Sequence, residues 1–236
     1  MMAPVDRTAV ARMIDHTLLA PEATAARVRQ LCAEAIELGV GAVCVSPNQV
    51  GVAASEVRGT GVTVASVIGF PSGAHRPETK AAEAAAACAD GAGELDMVVP
   101  LGAVAAGDWE VVAAHVSAVR GAAGSPVVLK VIVESACLDD AQLDRVCAVA
   151  VEAGADYVKT STGFGPGGAT PADVALMRRV VGAEMGVKAA GGVRDLDSLK
   201  AMVAAGATRV GASAGVKIVQ QARGGAAAAD VPAKNY

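Results

Sequence analysis

A lysine inside a short apolar segment is the first residue of this sequence that could do chemistry. Lys159 lies in Tyr157-Val-Lys-Thr-Ser-Thr162, which follows Gly154 and leads into the glycine-rich segment 163–168. A short apolar segment bounded by glycines predicts a β-strand. A lysine within a buried strand is costly unless it is paired or reactive, and the backbone N–H groups of glycines can approach an anion closely. The segment therefore indicates covalent carbonyl chemistry on a phosphorylated substrate. The alternative is a strand-end lysine whose ammonium reaches solvent.

Charged residues recur in other segments that read as strands. They are Asp15, Asp96, Lys130, Glu134 and Lys188. Because side chains alternate across a strand, Lys130 and Glu134 share a face. The same spacing places Ser161 on the face of Lys159. Strands that converge on one axis bring such charges together, which predicts a charged network instead of an apolar interior. A structural ion-pair network without chemistry is the alternative.

Aldol chemistry through an imine fits this combination of side chains. The amine nucleophile must be neutral at physiological pH, and a second ammonium nearby, together with partial desolvation, lowers its pKa. Lys159 and Lys188 lie on successive predicted strands and form such a pair, and Asp96 is the candidate proton carrier. Two alternatives are an isomerase or epimerase that uses Asp96 as a base, and a non-catalytic phosphosugar-binding barrel.

Glycine-rich turns follow the last two predicted strands. They are Ala190-Gly-Gly-Val-Arg194 and Gly211-Ala-Ser213. In phosphate-binding barrels the loops after strands seven and eight, with a helix N-terminus, hold the phosphate. Backbone N–H groups of Gly191 and Gly192 and the hydroxyl of Ser213 are the candidate donors. Turns need glycine for conformational reasons as well.

The elements that must position these residues alternate along the whole chain. Predicted strands cover 14–19, 41–46, 62–70, 94–99, 127–134, 157–162, 187–190 and 209–213. Predicted helices cover 22–38, 48–57, 76–89, 108–120, 139–152, 171–184, 196–205 and 216–222, after a short N-terminal helix. This alternation predicts an α/β fold, a single (β/α)8 TIM barrel over residues 1–223. Residues 224–236, rich in Gly and Ala, are expected to form a flexible C-terminal tail.

Composition excludes several classes of function. The 236 residues are 53% hydrophobic, with a net charge of −4 and only one Trp, two Tyr and two Phe. Neither a nucleic-acid-binding surface nor a membrane partner is expected from this charge and from the charged residues that interrupt each apolar run. The five cysteines include no Cys-x-x-Cys pair, so we expect reduced thiols and no structural zinc. Charged residues punctuate positions 1–20, so no secretory signal is expected and a cytoplasmic location is predicted.

Seven segments together resemble the 2-deoxyribose-5-phosphate aldolase family. They are Ile14-Asp-His-Thr-Leu-Leu19, Val43-Cys-Val-Ser-Pro47, Ile68-Gly-Phe-Pro71, Glu94-Leu-Asp-Met-Val-Val99, Leu129-Lys-Val-Ile-Val-Glu134, Val158-Lys-Thr-Ser-Thr-Gly-Phe-Gly165 and Lys188-Ala-Ala-Gly-Gly-Val-Arg194. The resemblance implies a class I aldolase that reversibly cleaves 2-deoxy-D-ribose 5-phosphate to acetaldehyde and D-glyceraldehyde 3-phosphate. It also implies a role in deoxyribose phosphate catabolism and a reaction that uses neither a metal nor an organic cofactor. A homodimer or homotetramer is implied as well. Another Schiff-base sugar-phosphate aldolase, or a transaldolase-like enzyme, is the nearest alternative.

The resemblance also assigns residue roles. By position, Lys159 matches the Schiff-base lysine, Lys188 the lysine that perturbs it, and Asp96 the proton-relay aspartate. The family commonly ends in a tyrosine that helps proton transfer, which implies this role for Tyr236. The residues expected to contact the substrate or its phosphate are Thr17, Lys130, Thr160, Gly163, Gly191, Gly192, Arg194, Gly211 and Ser213. This sequence departs from the family at Ala189, Ala20 and Ala214, which bears mainly on the affinity for phosphate.

Overall fold

Eight parallel strands of residues 6–222, the part of the chain that the computed structural model describes, close into a barrel in sequence order. The strands are β1 (Ile14–Leu18), β2 (Ala42–Val45), β3 (Thr63–Ile68), β4 (Glu94–Val98), β5 (Val128–Ile132), β6 (Tyr157–Lys159), β7 (Gly186–Ala190) and β8 (Arg209–Ala212). The ring closes where β1 pairs with β8. The predicted (β/α)8 barrel is therefore confirmed.

Helices follow the strands around the outside of this barrel. They are α1 (Arg7–Arg12), α2 (Ala25–Leu38), α3 (Val50–Val57), α4 (Pro77–Ala89), α5 (Leu101–Ala106), α6 (Trp109–Ala123), α7 (Asp140–Glu152), α8 (Pro171–Val181), α9 (Leu196–Ala204) and α10 (Gly215–Ala222). Single 3-10 turns cover Pro47–Gln49 and Ser135–Cys137. Within residues 6–222, no helix combines the length and the apolar character that a membrane span requires.

Local sequence signals explain most helix ends. Thr170 caps α8 by accepting a hydrogen bond from Asp173 N, and Pro171 occupies the first helical position. Asp139 and Asp195 begin α7 and α9 with reciprocal capping boxes. At the other end of α2, Gly39 adopts a left-handed conformation with φ 69°. These residues set the starts of α7, α8 and α9 and the end of α2.

Several predicted boundaries differ from the structure. The helix predicted from residue 22 begins at Ala25, because Thr24 provides the cap for its first turn. The helix predicted to residue 184 ends at Val181, because Gly182 takes φ 75°. The strands predicted to reach 134 and 162 stop at Ile132 and Lys159. Helix α5 was not predicted, since its six residues are too few to show a clear period.

Alternate residues of each strand face two different environments. Outward-facing residues such as Leu95, Leu129, Val158 and Val187 pack with the helices in one continuous apolar cluster. Inward-facing residues do not form the branched apolar layers that usually fill such a barrel. The buried charged residues on this inner face are Asp15, Glu94, Asp96, Lys130, Lys159 and Lys188. The helix–sheet layer therefore supplies most of the apolar burial. The barrel interior holds the charges and a small apolar cluster of Leu19, Cys44, Ala65 and Val67.

Candidate active site

Lys159, Lys188 and Asp96 meet inside the barrel. Lys159 is the last residue of β6 and is in register with Lys188 on β7. Lys159 Nζ lies 2.7 Å and Lys188 Nζ 2.6 Å from the same oxygen, Oδ2 of Asp96 on β4. Lys188 and Asp96 are fully buried, whereas 3% of Lys159 stays accessible. The structure therefore brings the three predicted catalytic residues together, with Lys159 at the carboxyl end of its strand.

The contacts of these three residues continue toward the amino ends of the strands. Lys188 also donates to Asp15 Oδ2, and Lys130 donates to Asp96 Oδ1 at 2.9 Å and to Glu94 Oε2 at 2.5 Å. Arg209, the first residue of β8, contacts Asp15 Oδ1 at 2.5 Å and Glu94 Oε2 at 3.1 Å. The barrel network is defined here as these seven residues: Asp15, Glu94, Asp96, Lys130, Lys159, Lys188 and Arg209. It contains three carboxylates and four basic side chains.

Burial and the neighbouring charges give the two central lysines different pKa values. The pKa of Lys159 is lowered, mainly by burial and further by Lys188, against the opposing effect of Asp96. Burial also disfavours a charged Lys188, but Asp15 and Asp96 outweigh it and raise the pKa of that amine. For Asp96, burial is likewise outweighed by Lys130, Lys159 and Lys188, which lower its pKa well below the usual value. The network is electrically balanced when Lys159 alone is neutral, which is the state that a nucleophilic amine requires.

Three residues expected to contact the substrate have other partners. Lys130 is fully buried, and its amine is held by Glu94 and Asp96. It lies deeper than expected because Ile132, two residues later, is the residue in register with Lys159. Thr17 Oγ1 donates to the carbonyl oxygen of Asp15 at 2.8 Å.

Thr160 differs from the expectation in a similar way. Its hydroxyl donates to Ala190 O at 3.1 Å and accepts from Ala190 N at 3.0 Å. This side chain therefore extends the pairing of β6 with β7 beyond the last residue of β6. With its O–H donated to Ala190 and the residue fully buried, Thr160 ties two strands together and is not exposed to a ligand.

A polar pocket of about 450 Å³ lies where the loops after β6 and β7 meet. It is lined by Gly163, Phe164, Gly165, Gly167, Gly168, Gly191, Gly192 and Arg194. Gly163, Gly191 and Gly192 have φ values of 86°, 82° and 81°, a left-handed region that favours glycine. Four of the predicted phosphate contacts, these three glycines and Arg194, thus line one pocket. Its concave wall of backbone suits an anion.

Close packing accounts for other glycines in the same loop. A Cβ at Gly168 would lie 2.3 Å from the carbonyl oxygen of Gly191, and one at Gly165 would lie 2.9 Å from the carboxylate carbon of Glu134. Glu134 itself has φ 56° and accepts hydrogen bonds from Thr162 N at 3.2 Å and Thr162 Oγ1 at 2.5 Å. Alternation from Lys130 predicts that Glu134 points into the barrel. Strand β5 ends at Ile132, however, and Glu134 instead anchors the loop that lines the polar pocket.

The remaining two predicted phosphate contacts lie outside the polar pocket. Gly211 is buried, and a Cβ there would lie 3.2 Å from Lys188 Cε, so this glycine makes room for the lysine stem. Ser213 is exposed in the turn after β8 and is not one of the residues that line the pocket. Tyr236 lies outside the described residues.

An apolar pocket of about 260 Å³ lies beside the polar one. Leu19, Val67 and Phe70 line it, and Phe164 lines both pockets. The rings of Phe70 and Phe164 meet edge to face, with centroids 5.3 Å apart and an angle of 89° between their planes. The two aromatic rings therefore stand where the apolar and polar pockets meet.

Three members of the barrel network received no role from the sequence. From the sequence, Asp15 is a charge on a predicted strand, and neither Glu94 nor Arg209 has a predicted role. Glu94 lies two residues before Asp96, and Arg209 lies two residues before Gly211. Side chains alternate along a strand, so this spacing could have placed Glu94 and Arg209 on the inner face. Within residues 6–222, no group of three His, Cys, Asp or Glu side chains is arranged to hold a metal ion.

Comparison with known proteins shows the family of this chain. The chain is 53% identical to a deoxyribose-phosphate aldolase of Geobacillus sp. (strain WCH70) over 211 residues, which cover 89% of this chain and 95% of that protein. It is also 53% identical over 210 residues to deoxyribose-phosphate aldolase 1 of Cutibacterium acnes (strain DSM 16379 / KPA171202), covering 89% of this chain and 96% of the relative.

Solved structures agree with the sequence relatives. A deoxyribose phosphate aldolase from Aeropyrum pernix, described as a unique tetrameric structure, superposes with a TM-score of 0.85 at 34% identity, covering 92% of each chain. The aldolase QR15 gives a TM-score of 0.85 at 37% identity, covering 90% of this chain and 95% of that one. Residues 9–221 match the sequence model described as DeoC/LacD family aldolase. The chain thus belongs to the DeoC/LacD family of aldolases.

Proposed function

We propose that this chain is a deoxyribose-phosphate aldolase that reversibly cleaves 2-deoxy-D-ribose 5-phosphate through an imine on Lys159. The observation that carries the proposal is the make-up of the barrel network, in which three carboxylates face four basic side chains, so that charge balance leaves one base neutral. Lys159 is the base that fits this state, because its pKa is lowered whereas the pKa values of Lys130, Lys188 and Arg209 are raised. A buried neutral amine at a strand end beside an anion pocket is the group that imine chemistry needs. Family membership and the names of the relatives agree with this activity.

The reaction is a sequence of balanced steps on the open-chain sugar. Lys159 Nζ attacks the C1 aldehyde, the carbinolamine loses water, and a protonated imine forms. A base takes the proton of the C3 hydroxyl, the C2–C3 bond breaks, and glyceraldehyde 3-phosphate leaves. Its departure leaves an enamine on Lys159. Protonation at C2 and hydrolysis of the imine then release acetaldehyde and restore the amine.

Asp96 is the proposed proton carrier for these steps. Its Oδ2 lies within 2.7 Å of both Lys159 Nζ and Lys188 Nζ, so a proton can pass between either amine and the intermediates over one hydrogen bond. Lys130 holds the other oxygen, Oδ1, at 2.9 Å. We therefore assign Lys130 to the orientation of Asp96 and not to phosphate binding.

The two pockets suit the two ends of the substrate. The glycines and Arg194 of the polar pocket offer backbone donors and one cation to the phosphate. The apolar pocket of Leu19, Val67 and Phe70 offers a non-polar surface to the acetaldehyde methyl group. Ser213 stays a proposed phosphate contact at the start of α10. Tyr236 stays a proposed proton donor to the enamine, and its deletion should slow deuterium exchange of the acetaldehyde methyl while imine formation persists.

Other proposals concern the state of the enzyme in the cell. The tetrameric relative from Aeropyrum pernix supports a homo-oligomer for this chain, and a cytoplasmic location stays a prediction from the sequence. The imine route needs no metal ion or organic cofactor, so treatment with EDTA should leave turnover unchanged. Loss of activity in EDTA, restored by zinc, would indicate a metal-dependent aldolase.

Borohydride trapping tests the proposed function. Acetaldehyde and borohydride should add one ethyl group to the wild-type protein, on the peptide that carries Lys159. Lys159→Met and Lys159→Arg should abolish both trapping and cleavage of 2-deoxyribose 5-phosphate and leave the thermal transition intact. Substantial turnover by either variant would contradict the assignment.

Lys80 provides an internal comparison for the trapping experiment. Burial lowers the pKa of this lysine to about 8, but its amine is enclosed and donates to Val98 O at 2.7 Å. A lowered pKa alone is therefore not expected to direct ethylation to Lys80. An ethyl group on the Lys80 peptide would show that trapping follows amine pKa instead of the active site.

A further inference from the structure

Arg209 lies at the end of the barrel opposite the two pockets. It is the first residue of β8, whereas the polar pocket is built from the loops that follow β6 and β7. Its side chain is 15% exposed and contacts two buried carboxylates. Nε and Nη2 reach Asp15 Oδ1 at 2.9 and 2.5 Å, and Nη2 reaches Glu94 Oε2 at 3.1 Å. Arg209 therefore closes the charged interior at the amino ends of the strands.

Two chains of direct contacts lead from Arg209 to the catalytic amine. The first runs through Asp15 to Lys188, whose amine donates to Asp96 Oδ2 at 2.6 Å. The second runs through Glu94 to Lys130, whose amine donates to Asp96 Oδ1 at 2.9 Å. Both chains end on the carboxylate that contacts Lys159. Among the described residues, Arg209 forms neither a hydrogen bond nor an ion pair with Lys159, and it lines neither pocket. Its direct contacts with the site are those of this network.

The charge of Arg209 affects whether Lys159 is protonated. The three carboxylates are balanced by Lys130, Lys188 and Arg209 when Lys159 is neutral. If the charge of Arg209 were removed, the same three carboxylates would be balanced only with a proton on Lys159. A buried site disfavours uncompensated charge, so the occupant of position 209 changes which state of the amine is favoured.

The other titratable groups that face Lys159 and Arg209 do not change the net charge of the barrel network. Lys159 is faced by Asp96 from β4, Lys188 from β7 and the thiol of Cys44 from β2, whose pKa burial raises to about 11. Arg209 is faced by Asp15 from β1, Glu94 from β4 and the phenol of Tyr157 from β6. With its pKa raised, the Cys44 thiol adds no charge at neutral pH. Charge balance therefore rests on the seven members of the barrel network.

We propose that Arg209 is a positioning residue whose charge, transmitted through Asp15 and Glu94, keeps the amine of Lys159 neutral for imine formation. This inference rests on the proposed function, because it concerns the nucleophile of that reaction. It extends the electrostatic control of Lys159 from the adjacent Lys188 to the far end of the barrel.

The test compares the pH dependence of acetaldehyde trapping at Lys159 in the wild type and four variants. In Arg209→Met, which removes the charge and keeps an unbranched side chain, the trapping profile should move to higher pH. The expected shift is about one pH unit, the order of magnitude for one unit charge acting through a protein interior. Arg209→Lys keeps the charge and should reproduce the wild-type profile. Glu94→Gln removes one negative charge and should move the profile to lower pH.

The outcomes separate this inference from the proposed function. An unshifted profile in a folded Arg209→Met, or equal shifts in Arg209→Met and Arg209→Lys, would overturn the inference while wild-type trapping still supports the aldolase. No trapping in the wild type would overturn both. If Arg209→Met fails to fold, Glu94→Gln tests the inference instead. A trapping profile of Glu94→Gln that does not move to lower pH contradicts the charge balance on which the inference rests. A double variant, Arg209→Met with Glu94→Gln, should return the profile toward that of the wild type.

Discussion

Lys159 and Lys188 share one hydrogen-bond acceptor. Both amines lie within 2.7 Å of Asp96 Oδ2, so two ammonium groups there would repel each other in a site without bulk water. Lys188 has a second carboxylate partner in Asp15, whereas Lys159 has only Asp96 among the carboxylates of the described chain. This asymmetry decides which lysine gives up its proton. The pKa of Lys188 is raised and that of Lys159 is lowered, so Lys159 loses its proton more readily than Lys188.

Removal of Lys188 is expected to move imine formation to higher pH. The charge of Lys188 is one cause of the lowered pKa of Lys159, after burial. In Lys188→Met this cause is lost, the pKa of Lys159 rises, and the neutral amine becomes available only at higher pH. We expect a shift of at least about one pH unit, measured as the rate of borohydride trapping with acetaldehyde between pH 5 and pH 10. An unshifted profile would mean that burial alone lowers the pKa.

Lys188→Arg is the matched control for charge. It keeps a cation beside Asp96 and Asp15, so trapping should retain the wild-type pH dependence even if its rate falls through altered geometry. A shift in this variant equal to that of Lys188→Met would contradict the electrostatic explanation.

Asp15 should make the fold sensitive to acid. Burial alone would raise the pKa of Asp15, but Lys188, Lys130 and Arg209 outweigh it and lower the pKa to about 2. In the unfolded chain an aspartate titrates near its usual value of about 3.9. A lowered folded-state pKa stabilises the protein above the unfolded value, and this stabilisation is lost as pH falls through the folded value. The loss between about pH 4 and pH 2 should amount to about 2 kcal/mol.

Urea unfolding of the wild type and Asp15→Asn between pH 7 and pH 2 measures this contribution. Asp15→Asn should be less stable at pH 7, because Lys188 and Arg209 lose a charged acceptor, and its free energy of unfolding should fall less in acid. Asp197→Asn, at an exposed carboxylate on α9, is the control and should follow the wild type. Parallel acid transitions in the wild type and Asp15→Asn would contradict the lowered pKa.

The sequence predicted the centre of the site because that centre depends on short-range rules. Alternation along a strand assigns Asp96, Lys159 and Lys188 to one face, and closure of eight strands makes those faces converge. Alternation and closure do not set the height of a residue along the barrel axis, and it is the register of β6 with β7 that puts Lys159 level with Lys188. The barrel, its strand order and the inward direction of these three residues could therefore be predicted from alternation. Their meeting was predicted from their combined chemistry and from the family resemblance.

Residues whose positions depend on register were harder to predict. Lys130 has the correct parity but lies below the open end, because it is Ile132 that pairs with Lys159. Glu134 follows the last paired residue of β5, so parity no longer applies to it. Register between neighbouring strands is set by the packing of the whole barrel, and one strand's sequence does not contain it. The contacts of Arg209 with Asp15 and Glu94 also depend on register, so they could not be predicted from the sequence.

Glu134 is expected to support substrate affinity and not proton transfer. Its carboxylate accepts from Thr162 N and Oγ1 in a buried position and packs against Gly165 of the polar pocket. Glu134→Ala leaves both donors without a partner and should loosen the loop. The KM for 2-deoxyribose 5-phosphate should rise on the order of tenfold, the effect of one hydrogen bond to a charged group.

Glu134→Gln is the matched comparison, since its amide oxygen still accepts one of the two hydrogen bonds. It should raise KM less than Glu134→Ala, and neither variant should shift the pH dependence of acetaldehyde trapping. A shift in that pH dependence would show that Glu134 takes part in proton transfer after all.

Gly192 tests whether the polar pocket holds the phosphate. Its φ is 81°, and a Cβ there would meet nothing within 4 Å, so a new methyl group would project into open space and not into the protein. Gly192→Ala should raise KM on the order of tenfold for 2-deoxyribose 5-phosphate, because the methyl group blocks close approach of an anion to the backbone. The KM for unphosphorylated 2-deoxyribose should change little. Gly59→Ala is the control for backbone strain, since Gly59 has φ 77° and equally open surroundings away from the pocket. Equal losses on the two sugars in Gly192→Ala would place the phosphate elsewhere on the enzyme.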